Sequence, residues 1–175
     1  DVEVPFFWAI SDQMDATFYE RYMTERGLMH GLEYRYVAEG SSRGDFMFDI
    51  LSDKIVEKTR PDETRYWFRS RTDQQLPLGV RAKLDTDYVS DQDYLKEFRK
   101  GLFFSYDIRS DLEGDYGRPL EEIRSPTRTS TLRLDRDQPG YSLQAASAYY
   151  QRPENPADDP TPQPLGGLDF NLLPA

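Results

Sequence analysis

The feature that most constrains this chain is a strict two-residue alternation of apolar and polar side chains, sustained through long runs. Val2, Val4, Phe6, Trp8 and Ile10 share one parity, with Glu3 on the other. Leu28, His30, Leu32, Tyr34 and Tyr36 alternate with Met29, Gly31, Glu33, Arg35 and Val37. Phe46, Phe48 and Ile50 alternate with Asp45, Met47 and Asp49, and Tyr66 and Phe68 with Arg65, Trp67, Arg69 and Arg71. Val80, Ala82, Leu84 and Thr86 alternate with Arg81, Lys83, Asp85 and Asp87, and Leu132 and Leu134 with Arg133 and Asp135. Successive side chains of a strand point to opposite faces, so each run predicts a strand with one apolar and one charged face.

The spacing predicts an all-β, antiparallel up-and-down meander of nine strands, near 2–10, 13–23, 27–39, 44–52, 63–73, 78–90, 127–136, 140–151 and 165–173. Most are far longer than the usual five or six residues and match the roughly 9–11 needed to cross a bilayer at a tilt. The connections 11–12, 40–43, 74–77 and 137–139 are short. Of the intervening ones, 24–26 is short, whereas 52–62, 91–126 and 152–164 are long. Short turns at one end and long loops at the other are the pattern of an outer-membrane barrel, with 91–126 as a long extracellular loop. Trp8, Tyr22, Tyr36, Tyr66, Tyr88 and Tyr149 lie near strand ends, where interfacial girdles sit. A soluble antiparallel protein with one wet face alternates in the same way, so a soluble β-barrel that binds a lipid or other ligand stays open as the alternative.

Composition narrows the function classes. With no cysteine, disulfide scaffolds, thiolate metal sites and cysteine nucleophiles are excluded. A single histidine, His30, argues against a zinc cluster and His-based catalysis; on the apolar parity it reads as an interfacial or core residue, not a ligand. The formal net charge of −10 speaks against nucleic acid as a partner. Aromatics make up 14% of the chain, too many for a disordered acidic tail. The start at Asp1, with no leader, reads as a mature or excised chain.

Several separated segments carry a resemblance: residues 3–8 (EVPFFW), 15–17 (DAT), 21–27 (RYMTERG), 32–36 (LEYRY) and 87–91 (DYVSD), followed by Tyr94 and Leu95. Together, over about residues 2–98, they resemble the early barrel strands of the LptD family of lipopolysaccharide-assembly outer-membrane proteins, also called the organic-solvent-tolerance or OstA family. The resemblance implies a segment of a large barrel in the outer membrane of a Gram-negative bacterium. It implies transport and insertion of lipopolysaccharide into the outer leaflet through a lateral gate, without catalysis and without a cofactor. The implied partners are lipopolysaccharide itself, an LptE-like lipoprotein plug, an LptA-like periplasmic bridge and the outer membrane. The family's inter-domain disulfides have no counterpart in a chain without cysteine. Pro5 matches a family proline that weakens strand pairing near the gate; proline inside a strand cannot donate to the ladder.

If the apolar parity faces lipid, the other must face the lumen, because a cation at mid-depth on the lipid side costs about 2–4 kcal/mol. That places Glu3, Arg21, Glu33, Arg35, Asp49, Arg65, Arg69, Arg71, Arg81, Lys83, Asp85, Asp87, Arg133 and Asp135 on the lumen wall. Cargo candidates are Arg65, Arg69 and Arg71 first, since guanidinium groups hold phosphate well, then Glu33, Arg35, Arg81, Lys83 and Asp85. Glu20 breaks the parity and is expected near a strand end. Asp107, Asp111, Glu113, Asp115, Glu121 and Glu122 read as a solvated acidic loop ahead of a Ca²⁺ site, and no metal is expected. Tyr94, Leu95, Phe98 and Leu102 have the spacing of a short helix, and Pro153, Pro156, Pro160, Pro162 and Pro164 mark a stiff connection. A carboxylate glycosidase ranks last, because no pair of acids stands apart from the alternation.

Overall fold

Each alternating run forms a strand, and consecutive strands pair antiparallel. The computed structural model describes residues 1–55, 64–98, 112–122, 124–154 and 159–172. The strands are β1 (Val2–Ser11), β2 (Met14–Met23), β3 (Gly27–Val37), β4 (Arg43–Ser52), β5 (Thr64–Leu76), β6 (Val80–Val89), β7 (Arg128–Gln138), β8 (Tyr141–Gln151) and β9 (Gly167–Leu172). Among the described residues they make one nine-stranded sheet in chain order, with β1 and β9 at its two edges. A short helix, α1 (Gln92–Glu97), follows β6, and residues 112–116 are also helical. The N-cap of α1 is Asp91, whose carboxylate accepts the Tyr94 N–H at 2.8 Å, as an N-cap side chain does for a helix's first free donors. Of the helix read over Tyr94–Leu102, residue 102 lies outside the described residues, as do 156 of the proline run and 173 of the last strand.

Most strand ends shift by one or two residues from the sequence reading, and the largest shift is at the end of β5. The pair Gln74-Gln75 reads as a turn, but β5 runs on to Leu76. Gln74 Nε2 donates to the Arg43 carbonyl at 3.1 Å, and Gln75 N–H donates to Ser42 Oγ at 2.9 Å, which holds the chain extended. The turn is instead Pro77–Gly79, where Leu78 and Gly79 take φ of 65° and 73°. Proline presets the entry, and glycine supplies the left-handed exit at no steric cost.

The two faces are inverted relative to a water-soluble protein. The apolar parity is bare: Phe6 is 63% exposed and Phe170 60%, with Val4, Tyr22, Leu28 and Leu132 also exposed. Aromatic rings run along it from strand to strand. Phe48 meets Phe68 at 6.5 Å, Tyr66 stacks on Tyr88 at 6.1 Å, Tyr88 meets Tyr149 at 6.4 Å, and Tyr141 meets Phe170 at 6.0 Å. Hydroxyls on this face satisfy one another, Ser70 Oγ lying 2.7 Å from Thr86 Oγ1. The parity-breaking Glu20 is the register partner of His30, and His30 Nδ1 lies 2.9 Å from Glu20 Oε1, at hydrogen-bond distance, both side chains half exposed. His30 is therefore not a core residue.

The charged parity is buried over much of its length. Asp49, Arg65, Arg69, Arg71 and Asp87 are all buried. Two apolar islands interrupt it. Met23, Met29, Leu51, Trp67 and Val89 pack under Tyr94, Leu95 and Phe98 of α1 and its C-cap. Tyr19 and Met47 pack under Leu112, with Tyr116 and Leu120 beside them. The described parts of the long connection, 91–98 and 112–122, thus pack on the charged face.

One seam departs from the regular ladder. Backbone pairing of β6 with β7 stops at Asp85–Thr131, although β6 continues to Val89. Side chains occupy the gap. Ser130 Oγ accepts the Asp87 N–H at 3.1 Å; Gln151 Oε1 accepts the Val89 N–H at 3.1 Å, and Gln151 Nε2 donates to the Val89 carbonyl at 2.7 Å.

Gly44 has a tight requirement of its own. The Tyr36 ring, on the neighbouring strand, lies over it, and a Cβ there would overlap the ring. Covering a strand glycine with a cross-strand aromatic pins register. Gly44→Ala is expected to displace the ring and destabilise the sheet by about 1–3 kcal/mol, as other overpacked sites do. Denaturant unfolding of the full protein in detergent measures it.

Candidate functional site

The sheet places every lumen-wall candidate on the charged face and joins most of them into ion pairs. The densest cluster lies at the end of the long connections. Arg65, fully buried, forks onto Asp91 through Nε at 3.0 Å and Nη2 at 2.7 Å, while its Nη1 reaches Asp53 at 2.9 Å and Glu97 at 2.8 Å. Its guanidinium also lies 5.0 Å from the Phe98 ring centre. Arg26, from the β2–β3 turn, joins the same Asp53 and Glu97 at 2.8 and 2.6 Å. Four chain segments are tied together by this charge network. Burial would raise the Asp91 carboxyl, but the Arg65 fork, the Ser90 hydroxyl and the Tyr94 N–H outweigh it and hold Asp91 below the usual carboxylate range.

Further along the face, Arg69 pairs with Asp49 at 3.3 Å and stacks 3.6 Å over Trp67, whose indole N–H donates to Asp87 at 2.8 Å. Arg71 donates to the carbonyls of Ser70 and Pro119 at 3.1 and 3.2 Å. Glu33 accepts the Tyr19 hydroxyl at 3.2 Å, and Arg35 pairs with Asp15 at 2.9 Å. Asp85 is held by Arg118, which also grips Asp73 at 2.6 Å. Arg65, Arg69 and Arg71, the first-ranked cargo candidates, are thus committed to groups of this chain. Arg81 and Lys83 stand apart: both side chains are exposed, Arg81 paired with Asp137.

Arg26, Asp53, Asp91, Glu97, Arg118 and Arg128, the last paired with Asp87 at 2.9 Å, carry much of this network and were not among the site residues read from the sequence. Most of them lie in turns and connections, where alternation gives no signal. The cue that was present is Met23, Met29, Met47, Leu51, Trp67 and Val89, large apolar residues on the charged parity that require a cover. Of the acidic-loop residues, 107 and 111 lie outside the described residues; Glu113 accepts the Leu120 N–H at 3.0 Å. Among the described residues no group of three acidic or histidine side chains is placed to hold a metal ion.

Pro5 can be oriented from the ladder. Val37 N–H donates to the Gln13 carbonyl at 2.8 Å. Antiparallel pairs alternate between bonded and non-bonded, and the β2–β3 register carries this alternation from Gln13 along β2. Odd residues of β2 therefore bond toward β3, and even ones toward β1. Val4 and Phe6, opposite Glu20 and Phe18, hold the β1–β2 ladder, and Pro5 opposite Tyr19 is a non-bonded pair. The missing N–H of Pro5 faces the open edge of β1, where it costs β2 nothing.

No family model matches this chain. Among curated proteins, it is 33% identical over 108 residues to the LPS-assembly protein LptD of Nitrosomonas eutropha, covering 62% of this chain and 14% of that protein. It is 28% identical over 170 residues to the LptD of Mannheimia succiniciproducens, covering 95% of this chain and 19% of the relative. With the LptD of Aeromonas hydrophila it shares 28% over 166 residues, 87% of this chain and 20% of the relative. The likeness extends past the motifs of residues 2–98, and the chain spans a fifth or less of the length of these relatives.

Two outcomes follow from the Arg65 cluster. Arg65→Ala is expected to cost about 3–5 kcal/mol, as does removal of one partner of a buried ion pair, and to expose α1 to protease; denaturant unfolding and limited proteolysis read both. Because the folded Asp91 carboxyl lies below its unfolded value of about 3.9, its contribution is complete above that value and is lost as pH falls through the folded one. Proteolytic protection of α1 is therefore expected to hold to about pH 4 and to fail only in stronger acid, followed by an acid-stable protease.

Proposed function

We propose that this chain, which resembles one segment of the LptD family over most of its length, forms early strands of a large outer-membrane β-barrel that moves lipopolysaccharide to the outer leaflet. The observation that carries this reading is the inversion of the sheet, apolar parity bare and charged parity buried over much of its length, in a chain similar to proteins named for LPS assembly. In lipid every backbone polar group must be paired, so a spanning sheet has to close into a barrel, and further strands would pair with the edges β1 and β9. A soluble ligand-binding barrel would turn its apolar parity inward, opposite to the exposure of Phe6, Tyr22 and Phe170.

On this reading the protein resides in the outer membrane of a Gram-negative bacterium and transports without making or breaking a bond. An LptE-like lipoprotein would plug the barrel, an LptA-like protein would deliver the lipid from the periplasm, and the connection 91–126 would lie at the extracellular end. The lateral gate would open beside β1. Pro5 leaves the edge of β1 one donor short, which weakens pairing with the strand before it while the β1–β2 ladder is kept. Pro5→Ala supplies that donor. The expected outcome is slower appearance of lipopolysaccharide at the cell surface, with unchanged unfolding of the protein in detergent. Surface labelling of newly made lipopolysaccharide measures the rate, and an unchanged rate refutes the gate role of Pro5.

A further inference from the structure

The charged face is neutralised almost throughout, which makes one place on it unusual. At the short-turn end lies a cleft of about 500 Å³, whose lining includes Arg43, Asp73, Gln75, Arg81 and Lys83. That volume falls within the roughly 300–1,000 Å³ of small-molecule sites. Its cations exceed its acids, in a chain whose net charge is −10. Asp73 is the register partner of Lys83, yet its carboxylate is already taken by Arg118 at 2.6 Å and Arg43 at 3.5 Å. The other flank of Lys83 is a cation, its register partner Arg133 on β7. Among the described residues, no carboxylate lies within ion-pair distance of Lys83.

We infer that this cleft binds a phosphate-bearing saccharide, with Lys83 as the principal anion contact and Arg81 and Arg43 flanking it. An ammonium on a flexible stem suits a phosphate as a point charge. Arg43 is set in place beforehand: it donates to the Asp115 carbonyl and lies 4.7 Å from the Tyr116 ring centre. A group already fixed in its bound position loses less freedom on binding. Gln75, whose side chain carries an amide, lines the same space and suits sugar hydroxyls. Arg65, Arg69 and Arg71 are buried and do not line the cleft, so they have no such role. That the saccharide is part of a transported lipid rests on the function proposed above; the binding itself does not.

The test uses the full-length protein in detergent, titrated by calorimetry with glucose 6-phosphate, glucose and inorganic phosphate. Saturable binding of glucose 6-phosphate is expected, weakened about tenfold, or 1.4 kcal/mol, in Lys83→Gln and largely retained in Lys83→Arg. Heat-modifiable migration on gels checks that each variant is folded. Equal affinity of Lys83→Gln and wild type overturns the inference, as does glucose binding as tightly as its phosphate. Inorganic phosphate binding as tightly as the sugar phosphate reduces the cleft to a counterion site and overturns it too. Failure of the transport reading shows instead in the surface-labelling experiment and leaves these titrations unaffected.

Discussion

An uncrossed meander of long strands leaves a chain no choice about where its charge goes. Side chains alternate by residue, neighbouring strands keep register, and every charged position of one parity lands on the same face. In this chain that face is also the one that packs, so its charges must be met where they stand. They are met by arginines that fork onto carboxylates of neighbouring strands and connections, with Arg65 on Asp53, Asp91 and Glu97 as the densest knot. Without that pairing the face could not be covered at all, since an unpaired buried charge costs several kcal/mol.

The long connection follows from the same constraint. It does not simply project from the sheet. It returns over the charged face through Tyr94, Leu95 and Phe98 at one island and Leu112 at the other, while Arg118 reaches back to Asp73 and Asp85. Charged wall and covering segment are one folded unit, and around Lys83 the short-turn end keeps cations facing open space. A wall of mixed sign, mostly self-neutralised, suits passage of a hydrated, charged cargo better than capture of it.

Legibility of the sequence tracked the range of the interactions. Strand number, order and face were readable because alternation is local and repeats. The turn at Pro77–Gly79 was displaced because the bonds that keep Gln74 and Gln75 extended come from β4 and the turn before it, far away in sequence. The placement of Arg65 on the charged face was readable; its engagement with Asp53, Asp91 and Glu97 was not, because those partners sit in connections with no period. Pro5 stood out as an interruption, yet which edge its missing donor faces needed the register of β2 against β3.

The side-chain closure of the β6–β7 seam has a mechanical consequence. A backbone ladder is independent of side-chain identity, so its stiffness survives most substitutions. Where Ser130 and Gln151 stand in for it, cohesion between two strands is written in side chains and can be tuned by single replacements. The wall therefore contains a line along which its compliance is set by sequence, beside strands whose cohesion is set by the polypeptide itself.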